Sequence, residues 1–211
     1  VVKAVIFDLD GTLVDAFEGI HDSLMHTMRV YGFPLHDFPT TKRMVGHGLE
    51  ELLAKAMNPE IVPEAILTYR AYYKDIAVSS ATPLPGATAL LRALHERGVK
   101  IALASNKPSY FCKQIVEGKG WGTYFNAVLG PDLVGATKPS PIMLLAALDA
   151  LGVRKEDALY VGDMTVDLEA ARAAELRVVL VATGSMTRAE LVAAGANDVR
   201  DGLDSLLAEL T

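Results

Sequence analysis

Ala4-Val5-Ile6-Phe7-Asp8-Leu9-Asp10-Gly11-Thr12 sets four apolar residues in a row, then two carboxylates two positions apart, then a glycine. A short uncharged run of this kind fits a strand covered on both faces. Asp10-Gly11 taken alone is also a hairpin-turn signal, but a turn does not require a second carboxylate at Asp8. Phosphoryl transfer does use such a pair, one carboxylate attacking phosphorus while its neighbour handles the proton. Residues two apart in an extended strand point the same way, subject to what the turn at Gly11 does.

Working outward, further short apolar runs at 99–104, 126–129, 158–161 and 177–182 join 3–7 as predicted strands. Helical patterns fill 87–96, 109–117, 141–150 and 166–174. This alternation predicts an α/β fold with a Rossmann-like, doubly wound parallel sheet. The segment 16–81 breaks the rhythm. Phe17, Ile20, Leu24, Met28 and Tyr31 recur at helical spacing, as do Leu49, Leu52, Leu53 and Ala56, and then Ile66, Tyr69, Tyr73 and Ile76. Pro83-Leu84-Pro85-Gly86 marks the return to the sheet. The expected organisation is a core from residues 1–15 and 82–211 with an inserted helical module at 16–81.

Composition narrows the function. The chain has 211 residues, 51% of them hydrophobic, enough for a sizeable core. A net charge of -6 argues against a broad nucleic-acid surface, which needs clustered Lys and Arg. It leaves room for an anionic substrate, since a few local cations and one metal dominate a pocket. Cys112 is the only cysteine, so no intrachain disulfide forms and a reducing cytoplasm is expected. It reads as a buried thiol in a helix. The start shows no charged-then-apolar leader pattern, and no run approaches the ~18 apolar residues of a membrane helix.

Three later motifs also follow or adjoin predicted strands. Ser105-Asn106-Lys107 ends the second strand, Lys138-Pro139 precedes a helix, and Gly162-Asp163 with Asp167 follows the fourth strand. Ligands of open parallel sheets bind at the carboxyl ends of the strands, so the topology gathers these residues on one edge. A serine after a strand is also an ordinary turn or cap residue, and a lysine is commonly just solvated. In this company Ser105 offers a hydroxyl to a phosphate, and Lys138 offsets aspartate and phosphoryl charge. Asp167 suits the first turn of a helix in any case. With Asp8 and Asp163 it also makes a hard oxygen site for Mg²⁺, either as a ligand or from behind one. With no cysteine and no paired histidines at these positions, a zinc site is not expected.

Over nearly its whole length the chain resembles the haloacid dehalogenase superfamily of phosphohydrolases. The first motif is Asp8-Leu9-Asp10-Gly11-Thr12-Leu13-Val14-Asp15, the second Ser105, the third Lys138, and the fourth Gly162-Asp163 with Asp167. The resemblance implies a Rossmann-like core with a helical cap inserted after the first motif. It implies Asp8 as the nucleophile, becoming an aspartyl-phosphate, and Asp10 as the proton donor and later the base. It also implies a Mg²⁺ held by Asp8, the main-chain carbonyl of Asp10, and Asp163. The dehalogenases generally lack an aspartate matching Asp10, so its presence points to phosphoryl transfer.

The run Lys42 to Leu53 is similar to the cap-loop segment of phosphoglycolate phosphatases, and Ala104-Ser105-Asn106-Lys107 to their second motif. Gly46 and Gly48 permit close backbone approach, and N–H groups at the following helix suit an anion. Lys42, Arg43 and His47 are candidates to supplement them, and Thr12 and Asn106 are further candidate substrate contacts. A plain linker between helices accounts for the same residues. Met164 departs from the pattern, since a small hydroxyl residue often follows the fourth-motif aspartate. The expected partner is a small phosphorylated metabolite, with 2-phosphoglycolate first, no nucleic acid and no membrane, for a monomer or homodimer. A pyrophosphatase, a sugar-phosphate mutase and a non-catalytic binding protein of the same fold remain the alternatives.

Overall fold

The computed structural model describes residues 2–210; residues 1 and 211, the outer limits of the expected core, lie outside the described residues. Strands β1 (Ala4–Phe7), β4 (Lys100–Ala104), β5 (Ala127–Leu129), β6 (Ala158–Gly162), β7 (Arg177–Val181) and β8 (Val199–Arg200) form one six-stranded sheet in the order β5-β4-β1-β6-β7-β8. Every pairing in it is parallel. The chain runs outward from β1 through β4 to β5, then crosses back to β6 on the other side. The strand order therefore reverses around β1, which is where an open α/β sheet opens a crevice.

The apolar runs found in the sequence become strands because both faces of the sheet are covered. Val5 and Phe7 of β1 join one buried cluster, with Ile101 and Leu103 of β4 and Leu159 and Val161 of β6. The alternate residues Ala4, Ile6, Ala102, Ala104, Ala158 and Tyr160 join a second cluster on the opposite face. Helices α5 (Ala87–Glu96), α6 (Ser109–Gly118) and α11 (Asp204–Leu210) contribute to the first cluster. Helices α8 (Ile142–Leu151) and α9 (Thr165–Ala173) close the second. The short helices α7 (Pro131–Val134) and α10 (Arg188–Ala193) complete the core. Among the described residues, no helix is long and apolar enough to cross a membrane.

Between the short strands β2 (Val14–Asp15) and β3 (Thr82–Pro83), which pair antiparallel, lie four helices. They are α1 (Phe17–Tyr31), α2 (Phe38–Met44), α3 (Leu49–Ala56) and α4 (Val62–Ile76). The three apolar stripes of the sequence are the inward faces of α1, α3 and α4. Helix α1 ends at Gly32, whose left-handed φ of 73° is accessible to glycine without strain. Leu24, Met28, Leu53, Tyr69 and Tyr73 belong to the same buried cluster as Phe7 and Leu103, so the helical segment is packed continuously onto the sheet.

Helices α7, α10 and α11 escaped the sequence pattern, as did helix α2, the β2–β3 ribbon and the edge strand β8. Helix α2 carries no apolar stripe and is started by Asp37, whose carboxylate accepts from Thr40 N at 2.8 Å. The β2–β3 ribbon and the edge strand β8 are each two residues per strand, too short for a period to register.

Leu103 of β4, in register with Phe7 of β1, is fully buried in the first cluster. Leu103→Ala is expected to cost about 2–5 kcal/mol in urea unfolding, from lost burial and the cavity left behind. A loss near zero would contradict the packing described.

Candidate active site

Asp8 is the first residue past β1, and its N–H still donates to Val161 O at 2.9 Å. The ladder ends there, so the carboxylate projects from the sheet edge beside β6. The chain then turns at once: Gly11 N donates to Val14 O at 2.8 Å, and Gly11 takes a left-handed φ of 85°. Asp10, just before this turn, directs its carboxylate to Lys107, two residues ahead of α6.

Asp8, Asp163 and Asp167 each offer an oxygen, and these atoms lie within 4.8 Å of one another, all buried. Asp167 sits in the first turn of α9, its Oδ2 accepting from Asp163 N at 3.1 Å and Met164 N at 3.0 Å. Its Oδ1 accepts from Tyr160 Oη and from Lys138 Nζ, both at 2.7 Å. Asp167 thus serves the helix start, the tyrosine and the lysine together, which suits a role behind the metal ligands. Lys138 Nζ also lies 2.9 Å from Asp8 Oδ1 and 2.9 Å from Tyr160 Oη.

The electrostatics of this cluster are unbalanced. Burial pushes the Asp8 carboxyl up to about 6, against the pull of Lys138 and with the help of Asp167. Burial likewise holds Asp163 well above the usual carboxylate range, reinforced by Asp167 and Asp8. Lys138 remains cationic, because Asp167 and Asp8 outweigh the burial that opposes its charge. One ammonium therefore faces three buried carboxylates. Asp163 Oδ1 accepts from Thr12 Oγ1 at 2.8 Å, while Oδ2 is buried and has no hydrogen-bond partner among the described residues. An all-oxygen donor set with one free carboxylate oxygen and excess negative charge fits a hard divalent cation.

The opposite wall is built by the second motif. Ser105 follows β4 and lines the cavity; its Oγ accepts from Lys107 N at 3.3 Å. Asn106 is a strut: its Oδ1 accepts from Lys138 N at 2.7 Å, and its Nδ2 donates to Lys138 O at 3.0 Å and Gly46 O at 2.9 Å. Lys107 Nζ reaches both Asp10 oxygens, at 2.7 and 2.8 Å. Burial works against this ammonium, yet Asp10 and Tyr73 hold it well above the ordinary lysine range. Helices α1, α3 and α4 roof the cavity with Ile20, Leu49, Leu52, Tyr69 and Tyr73.

The sequence-derived candidates divide accordingly. Asp8, Asp10, Ser105, Asn106, Lys138 and Asp167 line one cavity, together with Gly46 and Gly48, and Asp163 lies buried against Asp8. Thr12, expected at the substrate, instead turns inward and fixes Asp163, because the Gly11 turn directs it beneath the sheet edge. Arg43 is exposed and reaches Thr40 Oγ1 at 3.4 Å, one helical turn back. His47 faces Glu51, with Nδ1 and Oε1 3.6 Å apart. Neither belongs to the cavity wall: Arg43 lies on the exposed side of α2, and His47 sits half-buried in the loop between α2 and α3. Cys112 is a buried thiol, its Sγ donating to Lys107 O at 3.5 Å.

Four contributors carried no usable sequence signal. Tyr160 is an interior strand residue whose hydroxyl happens to reach Lys138. Tyr73 reads as core. Thr183 Oγ1 donates to Gly11 O at 2.6 Å, locking the first-motif turn to the loop after β7. Beside it, a Cβ on Gly184 would stand 1.6 Å from Asp163 Oδ2, so the backbone itself walls the carboxylate. Met164 has a steric counterpart in Gly46, where an added Cβ would meet its sulfur at 2.5 Å.

The chain belongs to the haloacid dehalogenase-like hydrolase family, whose model matches residues 5–181. It is 36% identical to a phosphoglycolate phosphatase of Rhodospirillum rubrum, over 97% of this chain and 89% of that one. It is 32% identical to a phosphoglycolate phosphatase of Aquifex aeolicus, over 87% and 86% of the two chains. In three dimensions it is similar to a predicted phosphatase from Clostridium acetobutylicum, with a TM-score of 0.89, 30% identity, and coverage of 100% and 98%.

Gly184→Ala is expected to keep the far-ultraviolet dichroism of the native protein. It should raise the Mg²⁺ concentration for half-maximal activity by about 10–100-fold, the range for disturbed support of a ligand. An unchanged requirement would mean that Asp163 is not held by this corner.

Proposed function

We propose that the chain is a Mg²⁺-dependent phosphatase of small phosphomonoesters, acting through an aspartyl-phosphate at Asp8, with 2-phosphoglycolate as the first candidate substrate. The observation that carries this reading is the seating of Asp8 at the sheet edge, 2.9 Å from Lys138 and inside the buried Asp163–Asp167 cluster. In the first half-reaction Asp8 attacks phosphorus. The leaving alkoxide takes a proton from Asp10, releasing the alcohol and leaving the phosphoryl group on Asp8. In the second, Asp10 takes a proton from water, which attacks the same phosphorus and frees phosphate and the Asp8 carboxylate.

Asp8, Asp163 and the main-chain carbonyl of Asp10 would hold the Mg²⁺, which supplies positive charge to the phosphoryl oxygens. Lys138 contributes the cation from the protein itself, and Ser105 a hydroxyl donor at the cavity wall. Asp167 keeps Lys138 in place and leaves Asp8 free to react. We read residues 16–81 as a cap over a core of residues 1–15 and 82–211, because helices α1, α3 and α4 line the cavity from the side opposite the sheet.

For the carboxylate of 2-phosphoglycolate, the wall offers Gly46, Gly48 and the first turn of α3. Helix first-turn N–H groups lack intrahelical partners and suit an anion. Arg43 and His47 are outside that wall, so backbone recognition is the reading the geometry supports. The names of the relatives from Rhodospirillum rubrum and Aquifex aeolicus favour the same substrate.

Asp8→Asn is expected to abolish phosphate release on every phosphomonoester while retaining the native melting curve; residual turnover near native would reject the nucleophile. A panel of 2-phosphoglycolate, pyrophosphate and sugar phosphates should give 2-phosphoglycolate the highest kcat/KM. A sugar phosphate or pyrophosphate ahead of it by tenfold or more would replace the substrate assignment and leave the chemistry standing.

A further inference from the structure

The proton-transfer carboxylate is not free in the cavity. The Lys107 ammonium lies across both of its oxygens, 2.8 Å from Asp10 Oδ1 and 2.7 Å from Oδ2. The same Nζ lies 2.6 Å from Tyr73 Oη. Asp10 and Lys107 side chains are only 12% and 8% exposed, so the pair is held away from bulk water. Tyr73 comes from α4, the last helix of the inserted segment. It is fixed edge-on to Phe111 of α6 at 4.9 Å and stacked beside Tyr69 at 5.7 Å. One ammonium thus joins the first motif, the second motif and the helical roof.

A carboxylate just before a glycine-bearing turn has two side-chain torsions to settle. In the ionised group a cation touching both oxygens fixes the plane; once one oxygen takes a proton, the ammonium keeps the other and so still sets which way the proton faces. An ammonium carries three donors and no acceptor, so it can hold Asp10 and a hydroxyl together. An exposed ion pair would contribute little. A buried one fixes geometry, because separating its members leaves a charge without a partner.

We infer that Lys107 is a positioning residue that sets the orientation of Asp10 for proton delivery, and that Tyr73 couples this orientation to the seating of α4 over the cavity. The inference rests on the acid role proposed above for Asp10. Displacement of α4 takes Tyr73 off the ammonium, so the proton donor is fully held only beneath the roof. Lys107 need not touch the substrate to act in this way.

The test compares kcat/KM, at saturating Mg²⁺, for an alkyl phosphomonoester and for p-nitrophenyl phosphate in Asp10→Asn, Lys107→Met, Lys107→Arg and Tyr73→Phe. This ratio reports steps through loss of the leaving group, so the later activation of water does not enter it. An alkoxide needs a proton to leave, whereas p-nitrophenolate does not. Asp10→Asn is expected to lose roughly 10²–10⁴ on the alkyl ester and far less on the aryl ester. Lys107→Met should show the same selectivity, and Lys107→Arg should recover part of it through a cation that contacts both oxygens. Tyr73→Phe should shift the alkyl-to-aryl ratio in the same direction by roughly two- to tenfold, the worth of one hydrogen bond.

Equal losses on both esters in Lys107→Met, with Asp10→Asn still selective, would overturn the positioning role and leave the acid in place. No selectivity in Asp10→Asn would overturn the acid role, and this inference with it. If Lys107→Met does not fold, the ratio is read on Lys107→Arg and Tyr73→Phe, where equal losses on both esters again contradict the inference.

Discussion

One buried ammonium holds the site together. Lys138 lies within ion-pair distance of both Asp8 and Asp167 and hydrogen-bonded to Tyr160. Removing one member of such a buried pair costs about 3–5 kcal/mol, because the remaining charge has nowhere to go. Here the remaining charge is larger than usual, since Asp163 adds a third carboxylate that Lys138 does not touch. The site therefore stores negative charge at a crevice where the sheet topology already admits a ligand. A divalent cation and the phosphoryl group it would help to bind are the natural complement.

The core and the helical insert contribute differently. Strand ends and helix starts present Asp8, Ser105, Asp163 and Asp167 from backbone positions that the packed sheet fixes. The insert adds apolar walls and two close approaches. Gly46 packs against Met164 and is tied to Asn106, and Tyr73 reaches Lys107. Both approaches end on residues that hold groups proposed for catalysis: Asn106 holds the Lys138 backbone, and Lys107 holds Asp10. The roof is in this way connected to the chemistry by the same side chains that brace it.

Much of this was readable in the sequence, for identifiable reasons. Apolar runs covered on both faces announce parallel strands, and the residues that end them, Asp8, Ser105 and Asp163, fall on one edge by topology alone. The stripes at Phe17–Tyr31, Leu49–Ala56 and 66–76 announced the helices α1, α3 and α4. What failed was side-chain direction. Thr12, Arg43 and His47 have suitable chemistry and sit near the right motifs, yet Thr12 meets Asp163, Arg43 reaches back to Thr40 and His47 faces Glu51. What was missed was contact between distant segments. No pattern around Tyr73 distinguishes a core tyrosine from one whose hydroxyl meets Lys107, and nothing near Gly184 signals Asp163, twenty-one positions earlier, pressed against its Cα.

The central claim is that the Asp8–Asp163–Asp167 cluster is completed by a divalent cation that Asp8 and Asp163 bind directly. Calorimetric titration of Mg²⁺ into the native protein, and into Asp163→Asn, tests it most directly. The account predicts one saturable site per chain in the native protein and its loss in the variant. Absence of binding to the native protein, or an unchanged isotherm in Asp163→Asn, would contradict it.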